Sequence, residues 1–169
     1  DASAVPDWTL AAAAGLAIIS VDSGDDSEAE NLFKRLLPHS GEFVRPAVFS
    51  IDRILANLAA LQKRNDVARA HFGTAIELCT RGGFVPELAR TQTDLAGFLI
   101  GLGDAADREL ASELIESVTV TVTQLKMVPL SVRVAALKEA LSTLPASKNS
   151  HPDGLTDREV EVLKVLATG

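Results

Sequence analysis

Apolar residues recur along most of this chain at steps of three and four positions, the spacing that places side chains on one face of a helix. Prolines, glycines and short polar runs interrupt this pattern and divide it into seven helix-sized segments. These segments are Asp7 to Val21, Ser27 to Leu37, Pro46 to Lys63, Val67 to Arg81, Pro86 to Gly101, Asp104 to Lys126 and Pro129 to Leu144. The pattern predicts an all-α fold in which antiparallel helix pairs are followed by one short terminal helix.

Particular residues predict how two of these helices begin. Ser27 and Glu30 have the spacing of a capping box, in which each side chain bonds the other residue's backbone N–H. Pro46 suits the first turn of a helix, where no backbone N–H is needed. We therefore expect the second helix to begin at Ser27 and the third at Pro46.

The stretch from Trp8 to Val21 is the most apolar part of the chain and contains no charged residue. It is shorter than the roughly 20 residues that cross a bilayer. No basic residues precede it, as they would in a signal peptide. We interpret the stretch as a buried helix and expect no membrane partner.

One segment carries a conflicting signal. Val118 to Thr123 alternates valine and threonine, a pattern typical of a strand. The same segment continues an apolar stripe with helical spacing, and packing along such a stripe can offset the small cost in helix propensity. We predict a helix. The stripe consists of Ala111, Leu114, Ile115, Val118, Val122 and Leu125.

A small residue followed by two apolar ones, at steps of four and three, occurs three times at intervals of roughly 40 residues. The three sets are Ala29, Phe33 and Leu36; Ala68, Phe72 and Ala75; and Ala111, Ile115 and Val118. Each set lies on one helical face, where the small residue lets a partner helix approach. The pattern resembles the second helix of a tetratricopeptide repeat, although the first-helix Trp, Gly and Tyr positions are not recovered. An irregular antiparallel helical array with no ligand is the alternative.

Composition and net charge reduce the number of possible function classes. The net charge of -7 and the isoelectric point near 4.9 have the wrong sign for attracting a phosphate backbone. A single cysteine excludes an internal disulfide and favours a cytoplasmic location. Abundant alanine and leucine with 4% aromatic residues favour packed helices over sheets. We expect a protein that does not itself bind DNA.

The residues that could carry chemistry are few. No phosphate-binding Gly-x4-Gly-Lys motif is present. The glycines at 97, 101 and 103 indicate instead a helix that lacks side chains at some positions, and the end of that helix. The three histidines have no metal-ligand spacing, and Cys79 lies on the predicted core face. We therefore expect no catalytic residues, no metal and no cofactor in this chain. The histidines are His39, His71 and His151.

The last fifteen residues predict a capped amphipathic helix, in which Thr156 and Glu159 can form a capping box. Their sequence resembles the opening of the LuxR-type helix-turn-helix. The matching residues are Leu155, Thr156, Arg158, Glu159, Glu161, Val162, Leu163, Leu166, Ala167 and Gly169. The resemblance implies that the recognition helix would lie beyond Gly169, so that DNA would be contacted only through a part that this chain lacks.

A second resemblance lies upstream, in Arg81 to Thr91, Asp94 to Ala96, Leu102 to Asp104 and Arg108 to Leu114. These runs are similar to the C-terminal helical repeats of large bacterial regulators. Such regulators end in a LuxR-type DNA-binding domain, which we call the reader. The resemblance implies a helical-repeat domain over 1–144, a turn-rich linker over 145–154 and the first helix of a truncated reader over 155–169.

The implied function is a sensor and coupling module of such a regulator, with a protein or small-molecule effector on the repeats. A tetratricopeptide-type scaffold unrelated to transcription is the alternative. An enzyme is the weakest hypothesis, because no converging set of catalytic side chains is visible. Formation of a homo-oligomer is a further alternative, since the exposed apolar ends of helical repeats often pair.

Overall fold

The computed structural model describes residues 7–44 and 48–144 of the chain. Within these ranges it contains seven α-helices, one turn of 3-10 helix and two short strands, which confirms the all-α prediction. The helices are α1 (Asp7–Ser23), α2 (Ala29–Leu36), α3 (Ile51–Leu61), α4 (Asn65–Gly82), α5 (Val85–Leu102), α6 (Ala105–Gln124) and α7 (Val128–Thr143). The 3-10 turn is η1 (Leu37–His39), and the strands are β1 (Phe43–Val44) and β2 (Phe49–Ser50).

Helices that follow one another in the chain pack side by side. α1 packs against α2, α3 against α4, and α5 against α6, and short connections make each pair antiparallel. The odd-numbered helices also contact one another in the order α1, α3, α5, α7. They therefore form one continuous layer, which we call the inner face, while α2, α4 and α6 lie behind it.

The nine residues of the threefold pattern are all buried, and they lie on α2, α4 and α6. All of them except Ala75 belong to two hydrophobic clusters, one built around α1 to α4 and the other around α5 to α7. Leu95 and Phe98 of α5 pack against both clusters and join them. Gly97 of α5 faces Leu137 of α7, and a Cβ there would lie 3.4 Å from Leu137 Cδ2, in ordinary van der Waals contact.

The segment from Val118 to Thr123 is helical, as predicted, and lies within α6. Val118 and Val122 are buried in the core. The Thr119 and Thr123 hydroxyls donate to backbone carbonyls four residues earlier, at 2.6 and 2.8 Å. Core packing of the valines thus outweighs the strand propensity of the sequence.

The predicted capping box at Ser27 and Glu30 is wrong. α2 begins at Ala29, and the residue before it makes no side-chain cap. The Asp25 carboxylate accepts from the Ser27 backbone N–H at 3.0 Å, which forms an Asx turn instead. Glu30 points away from the helix start, toward Lys34 and Arg64, each at 3.1 Å. The turn therefore uses the Ser27 backbone N–H, and ion pairs use the Glu30 carboxylate.

The prediction that a helix begins at Pro46 is also wrong. Residues 45–47 lie outside the described part, but Phe49 and Ser50 form β2, which pairs antiparallel with β1, and α3 begins only at Ile51. The Ser50 hydroxyl accepts from the Arg53 N–H at 3.4 Å and so caps α3. A capping serine therefore defines this helix start.

α1 is helical, but the prediction that it is buried holds for only one side. Its alanines at 13, 14 and 17 are buried against the core. Trp8, Leu16 and Ile19 are 72%, 57% and 64% exposed, respectively. The small side chains allow close packing on one face, whereas Trp8, Leu16 and Ile19 lie on the exposed side. None of the described helices has the length and apolar content needed to cross a membrane.

Three of the sequence-based predictions concern residues outside the described part of the chain. They are the linker over 145–154, the terminal helix with its LuxR-type motif over 155–169, and the role of His151.

Candidate functional site

Arg53 joins two helix pairs through a buried ion network. It lies in the first turn of α3, and its side chain is only 11% exposed. Its Nε donates to Glu87 Oε1 at 2.7 Å, and its Nη1 donates to Asp94 Oδ2 at 2.9 Å. Glu87 and Asp94 are both buried on α5. One guanidinium thus links α3 to two points on α5.

The network extends to α7 through Asp94. Asn57 Nδ2 donates to Asp94 Oδ2 at 2.8 Å, and Arg133 Nη1 of α7 lies 2.6 Å from Asp94 Oδ1. Asp94 therefore receives side chains from α3 and α7 at once. Three of the four inner-face helices are connected through this carboxylate.

Glu87 makes the second group of contacts. Its Oε1 also accepts from the Ser50 backbone N–H at 2.9 Å, at the start of α3. Its Oε2 has no hydrogen-bond partner among the described residues, and Arg90 Nη1 lies 3.7 Å away. The ring of Phe49 lies beneath two of the guanidiniums, with Arg53 Cζ at 5.6 Å and Arg90 Cζ at 5.9 Å from its centroid.

The carboxylates keep Arg53 charged despite its burial. Burial by itself would lower the pKa of Arg53, but Asp94 and Glu87 raise it above its ordinary value. Arg53, Arg90 and Arg133 face two carboxylates, so the network carries one positive charge in excess.

Two cavities adjoin this network on the inner face. The smaller, about 40 Å³, lies among α1, α3, α5 and α7 and includes Asn57 and Asp94 in its lining. The larger, about 330 Å³, is lined by Arg53, Arg90, Met127, Pro129, Leu130 and Arg133. Arg53 and Arg133 border both. The larger volume lies within the range of small-molecule sites.

A second buried polar cluster surrounds Asp52. Its carboxylate is fully buried and lies 2.8 Å from His71 Nδ1. It also accepts from the Ser40 hydroxyl at 2.8 Å and from the Gly41 backbone N–H at 2.6 Å. Burial would raise the pKa of Asp52, but the bonds from His71, Gly41 and Ser40 together hold it below its ordinary value.

This Asp52 cluster does not have the geometry of a catalytic triad. The Ser40 hydroxyl and the His71 ring both bond Oδ1 of the carboxylate, so no base activates the hydroxyl. The contacts instead tie the loop after η1 to α3 and α4. The Asp52 cluster therefore holds the loop after η1 in position against α3 and α4.

Cys79 is buried, as its core-face position predicts. Burial raises the pKa of its thiol to about 11, so the thiol is protonated near neutral pH. Such a group packs as a small hydrophobe.

The residues singled out for chemistry do not converge. His39 pairs with the exposed Glu42, whereas His71 bonds Asp52. Within residues 8–44 and 48–144, no three histidine, cysteine or acidic side chains are grouped so that they could hold a metal. The ten residues of the LuxR-type motif lie outside the described part.

Sequence reasoning missed the Arg53 network altogether. The available signal was a polar stripe on α5, where Glu87, Thr91 and Asp94 follow one another at steps of four and three. All three are buried, and the Thr91 hydroxyl donates to the Glu87 carbonyl at 2.9 Å. A stripe of this kind normally indicates a solvent-facing surface. In this protein it indicates a polar contact between helices.

Comparison of the chain with protein-family models, with curated proteins and with solved structures found no match.

Proposed function

We propose that this chain is the sensor and coupling segment of a bacterial transcription regulator of the LuxR type. The observation that carries the proposal is the Arg53 network. It connects α3, α5 and α7 beside a cavity of ligand size. A molecule entering that cavity would touch the residues that hold successive helix pairs in position.

This geometry suits coupling for a physical reason. In stacked helix pairs each pair contacts its neighbours, so a small change at one junction alters the positions of those that follow. A ligand that binds one arrangement better than another shifts the population toward it. The network lies at the α3/α5 and α5/α7 junctions, where such a shift would be transmitted along the array.

The output side of the proposal comes from the sequence. Residues 155–169 resemble the opening of a LuxR-type reader, and turn-forming residues over 145–154 would connect it to the repeats. The net charge of -7 supports a role in sensing rather than in contacting DNA. A cytoplasmic location and a role without catalysis belong to the same proposal.

Reading the parent gene beyond the codon for Gly169 tests this proposal. We expect a continuation such as Ser-Asn-x-Glu-Ile-Ala followed by a second helix, and DNA binding by the complete protein in a mobility-shift assay. A stop codon, or a continuation without a DNA-binding unit, would overturn it.

A tetratricopeptide-type scaffold unrelated to transcription is the second candidate. The observation that favours it is the outer side of α1, where Trp8, Leu16 and Ile19 form an exposed apolar stripe. Apolar surface of this kind is typical of protein contacts. The same gene sequence separates the candidates, because only the regulator requires a reader after Gly169.

A further inference from the structure

We propose that the larger inner-face cavity binds a small organic anion, in which a carboxylate or phosphate group is attached to a short apolar part. This inference deepens the proposed sensor role, on which it rests, by naming the chemistry of the effector. The occupant follows from the composition of the cavity lining, which is three arginines and three apolar residues.

The cationic part of the lining consists of three guanidiniums and includes no carboxylate. Arg53, Arg90 and Arg133 line the cavity, whereas Glu87 and Asp94 are not part of its lining. The rest of the lining consists of Met127, Pro129 and Leu130, at the start of α7. A ligand with one oxyanion and a few carbons would satisfy both parts of the lining.

The two outer arginines retain donors that an oxyanion could use. A guanidinium has five N–H groups. Among the described residues, Arg133 makes one close contact, to Asp94 at 2.6 Å, and Arg90 makes only long ones, to the Pro86 carbonyl at 3.5 Å and to Glu87 at 3.7 Å. Their side chains are 54% and 40% exposed, so both can reorient toward a ligand. Paired guanidiniums suit carboxylate and phosphate geometry.

Charge favours a small anion over a polyanion. The site has one positive charge in excess, but the whole chain has a net charge of -7. A nucleic acid or an acidic protein would experience the repulsion of the whole molecule, whereas a small anion inside the cavity is governed by the nearby guanidiniums. A volume of about 330 Å³ suits a small molecule.

The chain supplies its own probe for this site, because Met127 is its only methionine and lines the cavity. We would label the methionine methyl group with carbon-13, assign its NMR signal with Met127→Leu, and titrate the protein separately with hexanoate, hexyl phosphate and hexanol. We expect a saturable shift of the Met127 signal with hexanoate or hexyl phosphate and none with hexanol. The two anions distinguish a carboxylate ligand from a phosphate ligand.

Two variants and a matched control test the role of the arginines. Arg90→Gln and Arg133→Gln should each weaken binding of the anion about tenfold or more, the loss expected for a charged hydrogen bond. Arg81→Gln changes an exposed arginine on α4 that pairs with Glu77, and it should leave binding unchanged. Arg90 makes no close ion pair within the described part of the chain, so the Arg90→Gln variant tests the proposal even if Arg133→Gln does not fold.

The inference is overturned if neither anion gives a saturable shift, if hexanol binds equally well, or if Arg90→Gln binds like the unaltered chain. Its failure differs from failure of the proposed function. Anion binding by a protein that has no reader after Gly169 would support the anion site and overturn the proposed regulatory function. A reader after Gly169 in a protein that binds neither anion would support the regulator and overturn the anion site.

Discussion

At the scale of single residues, Arg53 has the largest expected effect on stability. Replacing it by methionine would leave Glu87 and Asp94 buried without their main counter-ion. Removing one partner of a buried ion pair costs about 3–5 kcal/mol. We predict that Arg53→Met lowers the free energy of unfolding by this amount in urea denaturation.

The matched control is Arg81→Met, because Arg81 is exposed and pairs only at 3.7 Å. Its effect should be within about 0.5 kcal/mol. Adding Glu87→Gln and Asp94→Asn to Arg53→Met should restore part of the lost stability, since the buried charges are then removed. Equal stabilities of Arg53→Met and Arg81→Met would show that the network contributes little to folding.

The lowered pKa of Asp52 predicts how the stability of the protein depends on pH. Its pKa is held below the ordinary value of 3.8, so its contribution is present above about pH 4 and is lost as the pH falls through the lowered value. Asp52→Asn should cost about 1.5–3 kcal/mol near neutral pH, because charged hydrogen bonds are lost. Its unfolding free energy should also fall less steeply in acid.

Urea denaturation from neutral pH downward checks this prediction. Asp26→Asn serves as the control, because Asp26 is exposed. Parallel pH profiles for Asp52→Asn and the unaltered chain would contradict the assigned role.

At the scale of elements, two glycines should respond to the same substitution with opposite signs. Gly103 ends α5 with a φ of +84°, in the left-handed region, whereas Gly73 lies within α4 at an exposed helical position. An added Cβ would meet no atom within 4 Å at either site. Gly103→Ala should cost about 1–2 kcal/mol through backbone strain, and Gly73→Ala should stabilise by up to about 1 kcal/mol.

Thermal and urea denaturation of the two variants check this pair. Because neither substitution creates a clash, the sign of the change reports the backbone alone. A loss of stability in Gly73→Ala, or a gain in Gly103→Ala, would contradict the backbone conformations assigned to these two glycines.

The helix starts show where prediction from sequence reaches its limit. Spacing located the seven helices and the buried set containing Phe33, Phe72 and Ile115, because the helical period depends only on the chain itself. It did not locate the starts of α2 and α3. Glu30 pairs with Lys34 and Arg64, and Ser50 is the last residue of a strand pair, so both starts depend on contacts made after folding.

At the scale of the whole molecule, the outer side of α1 determines how the array ends. Terminal units of helix-pair arrays need a polar outer face to stay apart. Trp8, Leu16 and Ile19 give α1 an apolar one. We predict concentration-dependent self-association, seen by analytical ultracentrifugation, together with a blue shift of fluorescence from Trp8, the only tryptophan.

The double change Leu16→Glu and Ile19→Lys should abolish this association. Val120→Lys is the matched control, because Val120 is an isolated exposed valine on α6. Unaltered sedimentation in the double variant would show that another surface mediates contact. Sedimentation as a monomer at all concentrations would contradict the prediction.

The candidate site could not be found from the sequence, for a reason of distance along the chain. Arg53, Glu87, Asp94 and Arg133 stand on three different helices, and no short motif contains two of the arginines. A polar stripe such as the one on α5 is typical of a solvent-facing surface. Only the packing of α3 and α7 against α5 reveals that these side chains meet each other instead.

The sequence by itself determined the all-α class, the approximate extent of the helices and the repeated buried positions, because these follow from local periodicity and from the residues that interrupt it. The tertiary structure alone decided which polar residues are buried, where the cavity lies and which side of α1 is left exposed. These features depend on which helices become neighbours. That choice is made by packing across the whole molecule, so it cannot be read from any single segment.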